Sequence, residues 1–328
     1  MKTALRIGVA AAALLCSIGA WAADYTMRIS HQFPPTHQTA RALDQFAADV
    51  KASTGGKIEV QIFGAEQLFK ANQQHAAVAR GQVEAAAIVS FGWGGTIPEM
   101  NVMTIPFLMT HAEQLKKFPT SDAARLLDEK MAAKGVKNIA WLVDANDAIV
   151  TSAKAPLLKP EDFKGVKIRG ISKLFDNGLT AMGASPSAMP GSEVYQALQT
   201  GVIDAGITSC AAAYSRRYYE VQKFGVASAM LTAYETLVVN PAWWEKLPAE
   251  MQKNLMAAAH KAEATLLPTS DEVAPEDVKR LRDKGMQVTV LSKAQEKALA
   301  AVMQPPVIKA FEESSPDGAK LIGMVQKL

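Results

Sequence analysis

The stretch from Lys167 to Asp204 constrains the fold more than any other part of the chain, because extended and helical patterns alternate along it. Val166-Lys167-Ile168 alternates as a strand and is followed by a helix-like run of apolar and small residues. Ser192 opens a second helix, and residues 202–205 form another short apolar strand. This strand-helix-strand-helix-strand order predicts an α/β fold built on a parallel sheet.

The rest of the chain continues the same alternation. Before this stretch we predict strands at 25–33, 57–63, 85–89, 136–143 and 148–152, and helices at 37–53, about 70–80 and 121–134, the last capped by Ser121. After it we predict a helix at 211–224, a strand at 236–240, a helical region from 241 to about 267, a helix at 276–284, a strand at 287–291, and a helix at 293–313 that is interrupted at Pro305-Pro306.

The first 22 residues read as a secretory signal peptide. A short basic region with Lys2 and Arg6 precedes an apolar run from Ile7 to Ile18, and Ala20-Trp21-Ala22 fits a small-residue cleavage site. The run is shorter than the roughly 20 residues that a membrane span needs. We therefore expect an exported protein that is located in the periplasm.

Composition excludes several classes of function. The chain has 35 basic and 32 acidic residues, and removal of Lys2 and Arg6 leaves 33 and 32, which gives no basic surface for nucleic acid. Cys210 is then the only cysteine, so no internal disulfide can form. The chain is long enough to divide into two domains, each with its own core.

Arg169 is the strongest candidate for a ligand contact. It follows the strand that begins at Val166, and ligands of α/β proteins bind at the carboxyl ends of strands. A guanidinium offers two parallel N–H donors to a carboxylate and stays charged when it is desolvated. A surface arginine on a strand edge is an equally good interpretation of the local sequence alone.

Several longer motifs resemble the DctP-like solute-binding proteins of tripartite ATP-independent periplasmic (TRAP) transporters, and the resemblance covers essentially the whole mature chain. The matching pieces are the early strand with His31, the pair Pro106-Phe107, PEDFKGVKIRG (160–170), GASPSAMPGSEVYQALQTGVIDAG (183–206), YYEVQKF (218–224) and VVNPAWWEKLP (238–248).

The resemblance implies a two-domain α/β periplasmic binding protein fold with a ligand cleft between the domains, crossover strands and a long back helix. We place residues 23–145 and about 235–270 in the first domain, and residues 146–234 and about 271–328 in the second. The resemblance also implies that Arg169 clamps a carboxylate and that the partners are a small carboxylate ligand and the membrane subunits of a TRAP permease. We also expect a monomer, and we expect no metal or cofactor.

The chain departs from the family pattern at the expected pocket. Ala148 stands where several members carry a second arginine, and Asp144 and Asp147 flank that position. Thr208-Ser209 replaces an acidic-asparagine pair, and Pro268 and Pro275 interrupt what should be one long helix.

Other candidate residues have both a structural and a functional interpretation. Phe91 and Trp93 lie in a glycine-rich loop after a strand and could pack in the core or form the wall of a ligand site. His31 and Met189 could each be structural or contact the ligand. Arg216 and Arg217 lie on a predicted helix, where a solvated face is the favoured interpretation, unless one of them replaces the absent second arginine.

These observations predict a binding protein for a small organic acid, and we expect a monocarboxylate with an aromatic or hydroxylated body. A ligand-presenting partner of a sensor kinase would show the same binding. A secreted enzyme is a further alternative, but the chain has no G-x-S-x-G turn, no H-E-x-x-H and no clustered histidines.

Overall fold

Two separate β-sheets divide the protein into two domains. The structure is a computed structural model that describes residues 23–268 and 270–328, so the predicted signal peptide at 1–22 lies outside the described residues. Apolar clusters cover both faces of each sheet. The predicted two-domain α/β fold is confirmed.

The first sheet has five strands in the order β2-β1-β3-β10-β4. Strands β1 to β3 are parallel to one another, whereas β10 runs antiparallel to both of its neighbours. The strands are β1 (Tyr25–Ser30), β2 (Ile58–Phe63), β3 (Ala85–Val89), β4 (Lys137–Ala145) and β10 (Ala233–Val239).

The second sheet has six strands in the order β11-β9-β5-β8-β6-β7. Strand β5 is antiparallel to its two neighbours, and the other pairs are parallel. The strands are β5 (Ala148–Ser152), β6 (Lys167–Gly170), β7 (Ser185–Ala188), β8 (Ala205–Thr208), β9 (Phe224–Ser228) and β11 (Gln287–Val290).

Twelve α-helices within the described residues cover the sheets. They are α1 (Gln38–Ser53), α2 (Gln74–Ala79), α3 (Ala112–Lys117), α4 (Asp122–Ala132), α5 (Lys173–Ala181), α6 (Gly191–Gln199), α7 (Cys210–Ser215), α8 (Pro241–Trp244), α9 (Ala249–Leu266), α10 (Pro275–Asp283), α11 (Lys293–Ser314) and α12 (Gly318–Val325). Ser121 caps α4, as predicted, by accepting a hydrogen bond from the backbone N–H of Ala124 at 3.2 Å.

Among the described residues, the chain passes between the domains at four places. Strand β4 continues into β5 after two residues, and β9 continues into β10, so each connection joins the two sheets directly. The third connection lies between α9, which packs in the core of the first domain, and α10, which packs in the core of the second. Helix α11 is the fourth connection, because Met303 packs in the core of the second domain while Val307 and Phe311 pack in the core of the first.

The end of the chain differs from the predicted domain assignment. Leu321, Ile322 and Val325 of α12 belong to the apolar cluster of the first sheet, whereas residues 271–328 were assigned to the second domain. The helical pattern of α12 reveals its apolar face but not the sheet against which that face packs. The other boundaries stay a prediction.

Three element predictions need correction. The strand predicted at 202–205 lies at Ala205–Thr208 instead, because the turn at Gly201 continues through Val202, which is 63% exposed. The helix predicted at 211–224 ends at Ser215, because Arg217 adopts a left-handed backbone with φ of 61°.

Pro305 and Pro306 do not interrupt α11 as predicted. Proline removes one helical hydrogen bond and clashes with the preceding turn, but the apolar residues on both sides of this pair are packed in cores. Packing therefore maintains the helix across the prolines. By contrast, Pro268 and Pro275 do separate α9 from α10, as predicted.

Candidate functional site

Arg169 lies in the second sheet on β6, between β8 and the edge strand β7. Its side chain is buried, and its Nη1 donates to the backbone carbonyl of Ile207 at 2.7 Å. Its Nε donates to the carbonyl of Met189 at 3.4 Å. Burial lowers the pKa of Arg169 to about 10, so the guanidinium remains charged at neutral pH.

A narrow cavity of about 20 Å³ lies between the domains and includes Arg169 in its wall. The first domain contributes the ends of β1, β3 and β4, and the second contributes β6, β8 and α7. The lining residues are Gln32, Phe33, Phe91, Asp144, Ala145, Arg169, Ile171, Thr208, Ser209, Ala212, Arg216, Leu231 and Ala233. A ligand in this cavity would contact both domains at once.

Five of the residues proposed from the sequence meet at this cavity: Arg169, Phe91, Asp144, Thr208 and Ser209. They come from four different strand ends, which agrees with the rule that carboxyl ends of strands carry ligand groups. Their contact with a ligand stays a prediction.

Four other proposed residues do not line the cavity and make structural contacts instead. Trp93 is fully buried and donates its indole N–H to Thr236 at 2.9 Å. The ring of His31 accepts from the backbone of Phe33, and burial lowers its pKa to about 4. Asp147 accepts from the backbone N–H of Cys210 at 2.7 Å, and Met189 meets Arg169 through its backbone carbonyl.

Asp144 is the acidic group of the cavity. Burial raises the pKa of its carboxyl to about 7, although Arg216 and a hydrogen bond from Thr39 at 3.3 Å oppose that rise. His37 lies 3.7 Å from the same oxygen, but burial lowers the pKa of His37 well below its usual value. This contact is therefore between a carboxyl and a neutral ring, and is not an ion pair.

Among the cavity residues that the sequence interpretation did not propose for the site are Phe33 and Arg216. For Arg216 a solvated helical face was the favoured interpretation, with replacement of the absent second arginine as the alternative, and the favoured interpretation fits its exposed neighbour Arg217. Arg216 instead lines the cavity, and its Nη2 is buried. Phe33 could have been suspected because it precedes Pro34 directly after the first strand.

Neither a metal cluster nor a membrane-spanning helix is found in the described residues. Between 23 and 268 and between 270 and 328, no group of three or more His, Cys, Asp or Glu side chains is arranged to hold a metal ion. Within the same ranges, every helix is too short or too polar to cross a membrane.

Comparisons with known proteins agree on one family. Residues 29–314 match the family described as "DctP: Bacterial extracellular solute-binding protein, family 7". The chain is 31% identical, over 255 residues, to a C4-dicarboxylate-binding periplasmic protein DctP from Rhodobacter capsulatus. The aligned region covers 77% of this chain and 76% of the relative.

Solved structures of TRAP periplasmic solute-binding proteins share the fold. One from Rhodoferax ferrireducens with bound malonate is 29% identical, with a TM-score of 0.84, and covers 92% of this chain and 97% of that chain. One from Desulfovibrio salexigens with bound orotic acid is 27% identical, with a TM-score of 0.85, and covers 92% and 98%. The chain therefore belongs to the DctP family of solute-binding proteins of TRAP transporters, which bind small organic acids and work with membrane permease subunits.

Proposed function

We propose that this protein captures a small organic acid in the periplasm through Arg169 and delivers it to a TRAP permease. One observation carries the proposal: a buried guanidinium lines a small cavity that both domains enclose. Backbone carbonyls fix Nη1 and Nε, and no hydrogen bond involves Nη2 within the described residues. A ligand carboxylate would supply that partner and the compensating charge.

We further propose that the ligand is a monocarboxylate with a hydroxylated or aromatic body. Ala148 on β5 stands where family members carry a second arginine, and Asp144 brings an acidic group to the wall. Phe33 and Phe91 offer apolar surface to the body of a ligand. The orotic acid of the Desulfovibrio salexigens structure is an aromatic monocarboxylate, whereas the malonate of the Rhodoferax ferrireducens structure is a dicarboxylate, so the family accommodates both classes.

A thermal-shift panel tests the ligand class. The purified protein is melted with orotate, D-glucuronate, D-galactonate, malonate and succinate at equal concentrations, and isothermal titration follows for each acid that stabilises it. A ligand at 100 times its Kd stabilises the native state by about 2.7 kcal/mol. We expect a monocarboxylate to give the largest shift. Stronger stabilisation by malonate or succinate than by any monocarboxylate contradicts the monocarboxylate class.

Substitution of Arg169 tests the clamp. Arg169→Ala should weaken the best acid of the panel by more than about tenfold, the scale of one lost charge-assisted hydrogen bond. Lys167→Ala is the matched control, because it removes an exposed cation from the same strand. Unchanged affinity in Arg169→Ala removes this residue from the site.

A binding protein releases its ligand chemically unchanged, whereas an enzyme converts it, so recovery of the ligand distinguishes the two functions. After prolonged incubation, the bound acid should be recovered unchanged by mass spectrometry. Conversion of the acid to a product would show an enzyme instead.

A further inference from the structure

Arg216 is the second guanidinium of the cavity. It follows the last residue of α7 and lines the same wall as Arg169, close enough for its charge to lower the pKa of Arg169 slightly. Its Nη2 is buried and has no hydrogen-bond partner among the described residues. Its neighbour Arg217 pairs with Glu220, but no ion pair of Arg216 is found in the same part of the chain.

The position of the Arg216 guanidinium is fixed from two sides. Its Cζ lies 5.3 Å from the ring centroid of Phe33, which belongs to the first domain. On the other side is Gly191, where a Cβ would lie 2.7 Å from Cζ and Nη1 of Arg216. The guanidinium therefore occupies the space that any larger residue at 191 would take.

The charges of the cavity are not balanced. Arg169 and Arg216 bring two positive charges, and Asp144 is the acidic side chain of the wall. A buried donor without a partner is unfavourable. A carboxylate held by Arg169 compensates one cation, and an additional ligand oxygen near Arg216 would satisfy its free donor.

We propose that Arg216 is a second ligand-binding residue, which donates to a hydroxyl or oxo oxygen that the ligand carries in addition to the carboxylate held by Arg169. This inference rests on the proposed function and deepens it. The hydrogen bond from Arg216 would favour binding of hydroxy and oxo acids over unsubstituted acids of the same size. The cation that recognises them directly follows α7 and is not at the position of Ala148.

Matched acid pairs test the inference. Lactate and pyruvate are compared with propionate, and D-galactonate with hexanoate, in thermal-shift and titration experiments on the wild type, Arg216→Met, Arg169→Met and Arg217→Met. We expect at least one oxygenated acid to bind the wild type at least about tenfold more tightly than its unsubstituted partner. Arg216→Met should abolish that preference, Arg169→Met should weaken all acids, and Arg217→Met should change neither.

Gly191→Ala is a second variant that keeps the charge of Arg216 but displaces its guanidinium. It should also reduce the preference for oxygenated acids, and a melting curve without ligand checks that each variant folds. If the wild type binds these acids and Arg216→Met keeps the same preference, or if the wild type shows no preference, the inference is overturned while the proposed function stands. If no acid of either panel binds the wild type, the proposed function fails as well.

Discussion

Glu235 is a buried carboxyl in the middle of β10, next to Asp144 and Arg216. It is 0% exposed, and neither of its oxygens has a hydrogen-bond partner among the described residues. Burial raises the pKa of Glu235 well above its usual value, and the charge of Asp144 adds to the rise while Arg216 opposes it. Glu235 is therefore a neutral acid within the folded protein.

This state has a consequence for stability. An acid whose pKa is raised by folding imposes a stability penalty, which is a decrease in the free energy of unfolding. This penalty is absent below the unfolded pKa and grows as pH rises towards the folded pKa, because only the unfolded state releases the proton in that range. Glu235→Gln removes that penalty and should raise the Tm more at pH 8 than at pH 5. Each increase of 1 kcal/mol in the free energy of unfolding raises the Tm by about 2 to 4 °C in a protein domain of 150 to 250 residues.

Melting curves of both proteins at the two pH values measure this effect. Glu250→Gln is the control, because it changes an exposed glutamate of α9 in the same way. An equal change in Tm at pH 5 and pH 8 for Glu235→Gln would contradict a neutral Glu235.

Asp144 predicts how ligand binding depends on pH. Its pKa of about 7 means that it loses its proton between pH 6 and pH 8, which adds a negative charge to the cavity wall. An anionic ligand is then repelled, so affinity for the best acid of the panel should fall by up to about tenfold as pH rises. Isothermal titration at pH 6, 7 and 8 measures the change.

Asp144→Asn should make the affinity nearly constant over this range. Asp128→Asn is a matched control, because burial also raises the pKa of Asp128, to about 6, but its carboxyl bonds to Asn138 and Trp141 and does not line the cavity. A slope that persists in Asp144→Asn assigns the pH dependence to another group.

The sequence allowed the position of Arg169 to be predicted but not that of Arg216. Arg169 follows an alternating strand, and strand ends carry ligand groups whatever the rest of the fold. Arg216 lies within a helical pattern that continues past it, and its local sequence does not reveal that Arg217 adopts a left-handed backbone. The space at Gly191 that receives its guanidinium comes from α6, at a distance that no local pattern reports.

At the scale of elements, α11 joins the two cores. Its first half packs through Leu299 and Met303 in the second domain, and its last half through Val307 and Phe311 in the first. Gly178 of α5 allows close contact, because a Cβ there would lie 3.2 Å from Met303 and Val307. The helix therefore contributes to the stability of both domains.

Phe311→Ala tests the assignment of this helix. Removal of a fully buried phenylalanine costs about 3 to 5 kcal/mol, and we expect the loss in the first domain. Trp93, Trp141, Trp243 and Trp244 all belong to the clusters of the first sheet or pack against them, so tryptophan fluorescence in urea reports on that domain. Lys309→Ala, an exposed change on the same helix, is the control. A loss below about 1 kcal/mol for Phe311→Ala contradicts this packing.

Element boundaries were predictable where local chemistry sets them. Ser121 starts α4 as a capping residue, and strands β3 and β5 lie where the apolar runs predict. The prediction that α11 is interrupted at Pro305-Pro306 was wrong, because packing against two cores outweighs the loss of a helical hydrogen bond. The sequence alone does not show that packing.

At the scale of the whole molecule, the cavity is narrow and lined by both domains, so we expect the domains to separate when a ligand enters. The connections from β4 to β5 and from β9 to β10 are short, and we expect motion about them, together with bending of α11, to open the cavity without unfolding either sheet. Ligand contacts to both domains exist only in the closed arrangement, so the ligand should shift the population towards it.

Small-angle X-ray scattering tests this shift. The radius of gyration of the wild type should decrease when the best acid of the panel is added at saturation. Arg169→Ala should keep its larger radius at the same concentration. An unchanged radius in the wild type would show that the protein is already closed without ligand.

The two-domain architecture could be predicted from the strand and helix order and the family motifs, but not the return of α12 to the first domain, because that contact depends on packing between distant segments.

The contact between Phe33 and Arg216 also bears on the kinetics of release. Phe33 belongs to the domain that opens away from Arg216, so opening must break this cation–π contact together with any ligand bridge at the same guanidinium. Discrimination between acids should then appear mainly in the dissociation rate, since most affinity differences at one interface arise there. An acid that engages Arg216 would leave slowly, and the permease subunits would have to separate Phe33 from Arg216 to receive it.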